Sequence, residues 1–390
     1  MKILIDGRGI QDGFKQHKQR GLGHYVLVLL ERLLMLQRDD LSLDFLFDKS
    51  LPIDSLKIEE SHRILHNPSP ILKKLIRSYE SYFSLGKTIR RLNYDLIHFL
   101  SYEDAIATPT VQYAVTMHDI MGIVNTKNDS LIKHLKHRLK KAFSDKIIYQ
   151  AAGIVTISEH TKKDVLNYYN IDPEKIRVIY SGVHERFFCN PTKEEIKQVL
   201  DKYKLSTEYL LYVGGIDPRK NILNLLKSIK YLNTNASIKI PLALVGKLSN
   251  QSEYDKLQRL IKQLKIRNLI FEPGYIEEND LPLVYTGAQA FIFPSFYEGF
   301  GLPVLQAMAA GTPVITTELS SIPEIAGNAV IYVDPEKPES IASGIEQVLT
   351  DGSLRDSLIT KGKIQAEKFS WESTITNLLS FYRDLISNSL

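Results

Sequence analysis

The chain lacks most of what would place it among small secreted, membrane-spanning or metal-built proteins. It has one cysteine, Cys189, in 390 residues, so it has no disulfide framework and a reducing, cytoplasmic setting is expected. No apolar run reaches the roughly 18 residues that a membrane span needs. The opening Met1-Lys2-Ile3-Leu4-Ile5-Asp6-Gly7 breaks at Asp6; it reads as a buried first strand, too short for a signal peptide. There is no Asp-x-Asp motif and no Cys/His cluster, and His134 and His137 lie among Lys and Arg. Neither a metal nor any other cofactor is therefore expected. Short repeats and low-complexity tracts are absent. The net charge is only +4, and no nucleic-acid partner is expected.

What is present is ordinary globular material: 44% apolar and 24% charged residues, in a chain long enough for two domains. Strand-like runs at Lys2–Ile5, Leu43–Phe47, Leu96–Phe99, Ala114–Met117 and Gly153–Ile157 alternate with helical patterns. Those helices are expected at Tyr25–Gln37, Leu72–Arg91, Leu131–Ala151 and Glu159–Tyr169. A strand and Gly turn at Ile176–Val183 close this half, and the polar Asn190-Pro191-Thr192-Lys193 reads as a linker. The alternation then restarts. Strands are expected at Tyr209–Val213, Leu242–Val245, Leu269–Phe271, Ala290–Phe293, Val314–Thr316 and Val330–Tyr332. Helices are expected at Leu223–Tyr231, Glu253–Leu264, Leu281–Ala288, Leu302–Ala310, Ile322–Ala326 and Pro338–Thr350, and a long amphipathic helix over Trp371–Ile386.

This is an α/β pattern of two doubly wound, Rossmann-like domains facing across a cleft. The expected divisions are residues 1–188, 189–370, and a final helix, 371–390, that returns to the first domain.

Three constellations could carry chemistry. In Phe293-Pro294-Ser295-Phe296-Tyr297-Glu298-Gly299-Phe300-Gly301-Leu302, a strand ends, a carboxylate follows in a Gly-flanked turn, and a helix begins. Backbone N–H groups and a helix N-terminus at a strand's carboxyl end suit a phosphorylated ligand. Glu298 would repel phosphate, and suits sugar hydroxyls or positive charge developing on a sugar ring. In Gly214-Gly215-Ile216-Asp217-Pro218-Arg219-Lys220-Asn221, paired glycines allow close backbone approach. Arg219 and Lys220 supply the bidentate fork and mobile point charge that a diphosphate needs; a plain Gly turn with solvated charges would read the same way. In Thr116-Met117-His118-Asp119, an imidazole at a strand end could bond a substrate hydroxyl or act as a base, or be structural. Arg20-Gly21-Leu22-Gly23-His24-Tyr25 is only superficially a dinucleotide fingerprint, because Val26 stands at the third Gly position. It still offers glycine N–H groups near a helix N-terminus.

With these residues the chain resembles the family 4 glycosyltransferases of the GT-B fold, in particular bacterial mannosyltransferase-like members of polysaccharide and O-antigen assembly. The resemblance runs nearly the whole length. It takes in Ile5-Asp6-Gly7-Arg8, Gly21-Leu22-Gly23-His24-Tyr25, His118-Asp119, Ile157-Ser158-Glu159 and Tyr180-Ser181-Gly182-Val183. It continues through Val213-Gly214-Gly215, Arg219-Lys220-Asn221, Gly274-Tyr275, the Glu298 stretch, Gly311-Thr312-Pro313-Val314 and Pro323-Glu324.

The resemblance implies a retaining, metal-independent transfer of a hexose from a nucleotide sugar, GDP-mannose or a UDP-sugar, to a glycan or polyprenyl-linked acceptor. By it, Arg219 and Lys220 match the residues that hold the leaving diphosphate, and Glu298 and His118 match contacts to the donor sugar. Gly299, Phe300, Gly301 and Leu302 match backbone contacts to sugar or phosphate, and Gly21 and Gly23 match the loop over the diphosphate. Tyr275 and Ile276 are expected near the base.

The chain departs from the family pattern where the second of two glutamates, which receives the ribose hydroxyls, is Gln306. Gly215 stands where many members have Arg, and His24 where Arg is frequent. Competing readings are a UDP-glucose or rhamnose donor, a sugar-nucleotide 2-epimerase of the same fold, and a non-catalytic nucleotide-sugar-binding protein.

Residues 1–185 hold 27 Lys/Arg against 22 Asp/Glu, and the basic residues concentrate in Ile71–Leu92 and Lys133–Lys146. Apolar residues recur there at helical spacing, so these segments could lie on anionic lipid as peripheral membrane contacts. The same stripes would equally serve a domain core.

Overall fold

The computed structural model describes all residues except 16–20, 37, 54–55, 67–84, 86–88, 90–91, 107–110, 122–140, 143, 237, 247–250 and 388–390. Most of the expected helices Leu72–Arg91 and Leu131–Ala151, and most of both basic segments, lie outside the described residues.

The chain divides into two compact units, Met1–Ser181 with Trp371–Leu390, and Gly182–Ser370. The first division therefore falls at Ser181/Gly182, upstream of the expected 188/189. Asn190–Lys193 runs into a helix: Thr192 caps Lys193–Lys202, its hydroxyl taking the Glu195 N–H while the Glu195 carboxylate takes the Thr192 N–H. This reciprocal cap fixes the segment that composition alone reads as a linker.

The first unit holds strands β1 (Lys2–Asp6), β2 (Ser42–Asp48), β3 (Arg63–His66), β4 (Leu96–Phe99), β5 (Tyr113–Met117), β6 (Gly153–Thr156) and β7 (Ile176–Val178). They form one sheet in the order β3-β2-β1-β4-β5-β6-β7, parallel throughout. All residues of β4, β5 and β6 are buried, as befits a parallel sheet covered on both faces. The edge strand β3 was not anticipated from the sequence.

Helix α1 (Gly21–Leu34) begins earlier than the expected Tyr25, so Gly21 and Gly23 lie in its first turn and not in a preceding loop. Leu22, Tyr25, Val26 and Leu29 continue one apolar stripe into the core, and that burial outweighs the low helix propensity of the two glycines. Helix α2 (Glu159–Tyr168) is capped by the Ser158 hydroxyl on Thr161 N–H.

The second unit holds β8 (Leu210–Val213), β9 (Leu242–Val245), β10 (Ile270–Gly274), β11 (Ala290–Phe293), β12 (Val314–Thr316) and β13 (Ile331–Tyr332). Their order, β10-β9-β8-β11-β12-β13, repeats that of the first six strands of the other sheet. Around them lie α3 (Lys193–Lys202), α4 (Ile222–Tyr231), α5 (Gln251–Leu264), α6 (Leu281–Thr286), α7 (Leu302–Ala309), α8 (Ile322–Ala326), α9 (Pro338–Thr350) and α10 (Gly352–Glu367). Helix α10 also lies outside the expected set.

Helix α11 (Trp371–Ser387) belongs to the first unit. Its Trp371, Leu378, Leu379, Phe381 and Tyr382 join the core that contains α1 and β1. A Cβ on Gly153 would stand 2.6 Å from the Phe381 ring, so the helix lies directly on β6.

In each sheet the strand order reverses once, between β1 and β4 and between β8 and β11. In open parallel sheets ligands bind outside the carboxyl ends of strands at that reversal.

Candidate active site

In the second unit the reversal brings two of the sequence constellations together. Arg219 and Lys220 follow β8, and Glu298 follows β11. The Lys220 ammonium lies 2.7 Å from Glu298 Oε1, and Arg219 Nη1 lies 3.7 Å from Glu298 Oε2. Glu298 is 6% exposed. Lys220 also stands over the Phe293 ring at 4.7 Å, a cation–π contact. Burial, then the neighbouring Arg219, lower the proton affinity of Lys220, while Glu298 acts in the opposite sense.

Asn221 is what locks the two loops. It adopts a left-handed backbone, φ 58°, and its buried side-chain amide donates to Pro294 O at 3.0 Å and Pro335 O at 2.7 Å. Phe296 N–H donates to Arg219 O at 2.7 Å, and Arg219 Nη1 donates to Tyr297 O at 3.3 Å. Asp217 caps the short turn by accepting from Arg219 N–H, and its other oxygen lies 3.5 Å from Arg219 Nε.

The Glu298 turn is fixed from the segment between β12 and α8: its N–H donates to Ser320 Oγ at 2.9 Å, and Ser321 Oγ lies 2.9 Å from both Glu298 O and Phe300 O. Asp217 and Asn221 lie inside the Gly214–Asn221 constellation without a role of their own in the sequence reading, and Ser320 and Ser321 lie outside all three constellations. Asn221 carried a signal, as an amide directly after two cations in a turn, whereas the serines carried none.

Gly301 opens α7 with φ +98°, and a Cβ there would stand 2.6 Å from Ile322 Cδ1. Gly299, Phe300, Gly301 and Leu302 thus form the turn between Glu298 and the N-terminus of α7. Gly215 O accepts from the Tyr212 hydroxyl at 3.1 Å.

Tyr275 and Ile276 follow β10, an edge strand on the same carboxyl side. The Tyr275 side chain is 66% exposed and that of Ile276 is buried, so Ile276 offers a ligand only its backbone. Gln306 lies one turn into α7, largely buried, and its Oε1 accepts from the Tyr285 hydroxyl at 3.3 Å.

The first unit has its own carboxyl edge. His118 follows β5, and its Nε2 donates to Leu100 O at 2.9 Å. Because a carbonyl only accepts, the neutral ring carries its proton on Nε2 and its lone pair on Nδ1. The Tyr25 ring meets the imidazole edge-on, centroids 4.9 Å apart, so Gly21, Gly23 and His118 belong to one neighbourhood through α1. At the reversal itself, Arg8 forms a fork on both Asp6 oxygens at 2.8 Å and donates to Asp104 O at 2.8 Å. That buried arrangement is internally satisfied.

Among the described residues, no group of three or more His, Cys, Asp or Glu side chains is placed to hold a metal ion, and no helix is long and apolar enough to cross a membrane.

Two Rossmann-like units with the same parallel strand order, one carrying cations and a carboxylate at its reversal point, define a glycosyltransferase fold of the GT-B type. Residues 19–187 match the family described as Glycosyltransferase Family 4, and residues 192–365 match Glycosyl transferases group 1. The O-antigen chain mannosyltransferase B of Escherichia coli is 31% identical over 329 residues, which span 83% of this chain and 79% of that protein. The serotype-specific mannosyltransferase WbdA of Escherichia coli is 25% identical over 421 residues; the match spans all of this chain but only 49% of that protein. Sucrose-phosphate synthase from Thermosynechococcus elongatus superposes over the full length of both chains with a TM-score of 0.77 at 20% identity. The chain belongs to the family 4 glycosyltransferases of the GT-B fold, and its activity is glycosyl transfer.

Proposed function

We propose that the protein transfers mannose from GDP-mannose, with retention of anomeric configuration and without a metal ion, to a lipid-linked or polysaccharide acceptor. The observation that carries the chemistry is the meeting of Arg219, Lys220 and Glu298 at one strand reversal. Leaving-group charge builds on the diphosphate while the sugar becomes cationic, so cations and a carboxylate are wanted around one breaking bond. Arg219, Lys220 and the amides of the Gly299–Leu302 turn take the diphosphate. Glu298 takes sugar hydroxyls and the charge of the ring. His118 hydrogen-bonds the donor sugar, and the acceptor hydroxyl loses its proton to the departing diphosphate. Gln306 and the backbone at Tyr275 and Ile276 meet the nucleoside. Mannose as the sugar is supported by the names of two relatives, an O-antigen chain mannosyltransferase and a serotype-specific mannosyltransferase.

The test is incubation of the purified protein with GDP-mannose, UDP-glucose or a nucleotide rhamnose, with and without a mannosylated polyprenyl acceptor. Product stereochemistry is read by NMR. An α-linked mannoside formed from GDP-mannose alone is the expected result. Turnover only with UDP-glucose would overturn the donor assignment, and an inverted product would overturn the mechanism. Epimerised free donor would identify an epimerase, and binding without turnover a sensor.

A further inference from the structure

We propose that Glu298 discriminates the sugar-loaded donor from the spent nucleoside diphosphate by serving as an internal counter-ion for Lys220 and Arg219. The inference rests on the reading of this edge as a diphosphate site. In this structure the two cations face two carboxylates, Glu298 and Asp217. An incoming diphosphate therefore does not meet bare positive charge. It has to draw Lys220 away from a carboxylate 2.7 Å distant.

The Lys220 and Glu298 side chains are 13% and 7% exposed. A carboxylate this buried is costly to leave without hydrogen-bond donors. The turn cannot easily carry it elsewhere, because Ser320 and Ser321 hold the Glu298 backbone from both sides. Once Lys220 turns to phosphate, Glu298 needs new donors at its own position. A hexosyl group supplies them as hydroxyls.

A nucleoside diphosphate without sugar supplies none there, so Glu298 competes with it for Lys220. The same carboxylate that receives the sugar thus weakens retention of the product after transfer. A neutral side chain at 298 should remove that competition. Asp217 acts less strongly, because it is half exposed and screened by water.

The experiment is titration calorimetry at pH 7 and low salt, with GDP and GDP-mannose, on the wild-type protein, Glu298→Gln, Glu298→Asp and Lys220→Gln. The wild-type protein should prefer GDP-mannose to GDP. Glu298→Gln should bind GDP about tenfold more tightly and lose that preference. Glu298→Asp, which keeps the charge but draws it back from Lys220, should shift GDP binding in the same direction by a smaller factor. Lys220→Gln should bind both ligands weakly.

GDP affinity that is unchanged or weaker in a folded Glu298→Gln protein overturns the proposal. If that variant does not fold, unchanged GDP affinity in Glu298→Asp overturns it. If no nucleoside diphosphate binds the wild-type protein, the diphosphate site itself falls. Binding to the wild type without tightening in the variants removes only the counter-ion role.

Discussion

The Tyr382 hydroxyl and His98 Nδ1 lie 2.7 Å apart although 284 residues separate them in the chain. The other ring nitrogen of His98 lies 2.9 Å from Thr116 Oγ1. A neutral imidazole serves both partners, accepting at one nitrogen and donating at the other. Helix α11 is thereby tied through β4 to β5, the strand that His118 follows. From the same helix Trp371 packs against Tyr25 at 5.6 Å, and Tyr25 in turn meets His118.

This tie predicts acid sensitivity. Burial, and secondarily the charge of His118, push His98 down to about 3. The unfolded ring titrates near 6.5, so between these values the unfolded chain binds the extra proton. Stability should therefore fall as pH drops from about 6.5 toward 3, by at most about 1.4 kcal/mol per pH unit from this group. His98→Gln should flatten that slope, and Tyr382→Phe should cost about 1–3 kcal/mol by stranding Nδ1. Urea unfolding at several pH values, followed by fluorescence of Trp371, the single tryptophan, reads the unit that contains the tie. Equal slopes for the wild type and His98→Gln would rule the assignment out.

Lys220 should govern both binding and turnover. Lys220→Ala is expected to weaken donor binding and to lower kcat by about 10²- to 10³-fold, because a developing phosphate charge loses its nearest cation. Burial and Arg219 lower the proton affinity of this lysine, so donor affinity should decline at alkaline pH below the ordinary lysine range. Lys220→Arg should retain part of the binding and move that decline upward. Steady-state kinetics from pH 7 to 10 check both effects.

With Arg219 and Lys220 as the countercharge, transfer should proceed undiminished after exhaustive treatment with EDTA. Loss of activity that returns on adding Mg²⁺ or Mn²⁺ would show that the diphosphate needs more than these side chains.

Gly246 is the tightest backbone approach near the site. It has φ +139°, and a Cβ there would stand 2.3 Å from Gly214 O. Gly246→Ala must push apart the ends of β8 and β9, and with them the loop bearing Arg219. A loss of about 1–3 kcal/mol is expected, with donor affinity falling alongside thermal stability. A variant with wild-type Tm and kinetics would show that the strand ends yield freely.

Much of this was legible in the sequence because it is local. Strands with continuous apolar runs, the Gly-flanked Glu298 and the adjacent Arg219 and Lys220 carry their own signals, and their order along the chain implies the repeated sheet. The start of α1 was misplaced because glycines at 21 and 23 look like a loop until Leu22 is seen packing into the core. The Thr192–Glu195 cap was readable as a helix start but lay in a polar, Pro-containing stretch. Asn221 holding Pro294 and Pro335, and Ser320 and Ser321 holding the Glu298 turn, join segments far apart in the chain. No local pattern announces such pairings.

Gln306 is one of the positions where the resemblance implies a different residue, and its surroundings sharpen the expectation. The Tyr285 ring is fully buried and its hydroxyl donates to Gln306 Oε1. A carboxylate in the same pose would still accept from Tyr285 and would keep a second, charged oxygen for ribose hydroxyls. The neutral amide instead offers N–H donors on that side, and an uncharged acceptor makes the weaker bond. If Gln306 meets the ribose, Gln306→Glu should tighten donor binding by about three- to tenfold, equivalent to roughly 1 kcal/mol, and narrow the choice among nucleotides. The effect should vanish for a donor analogue lacking both ribose hydroxyls. Affinity for GDP-mannose equal to that of the unaltered protein, with the fold intact by circular dichroism, would place the ribose elsewhere.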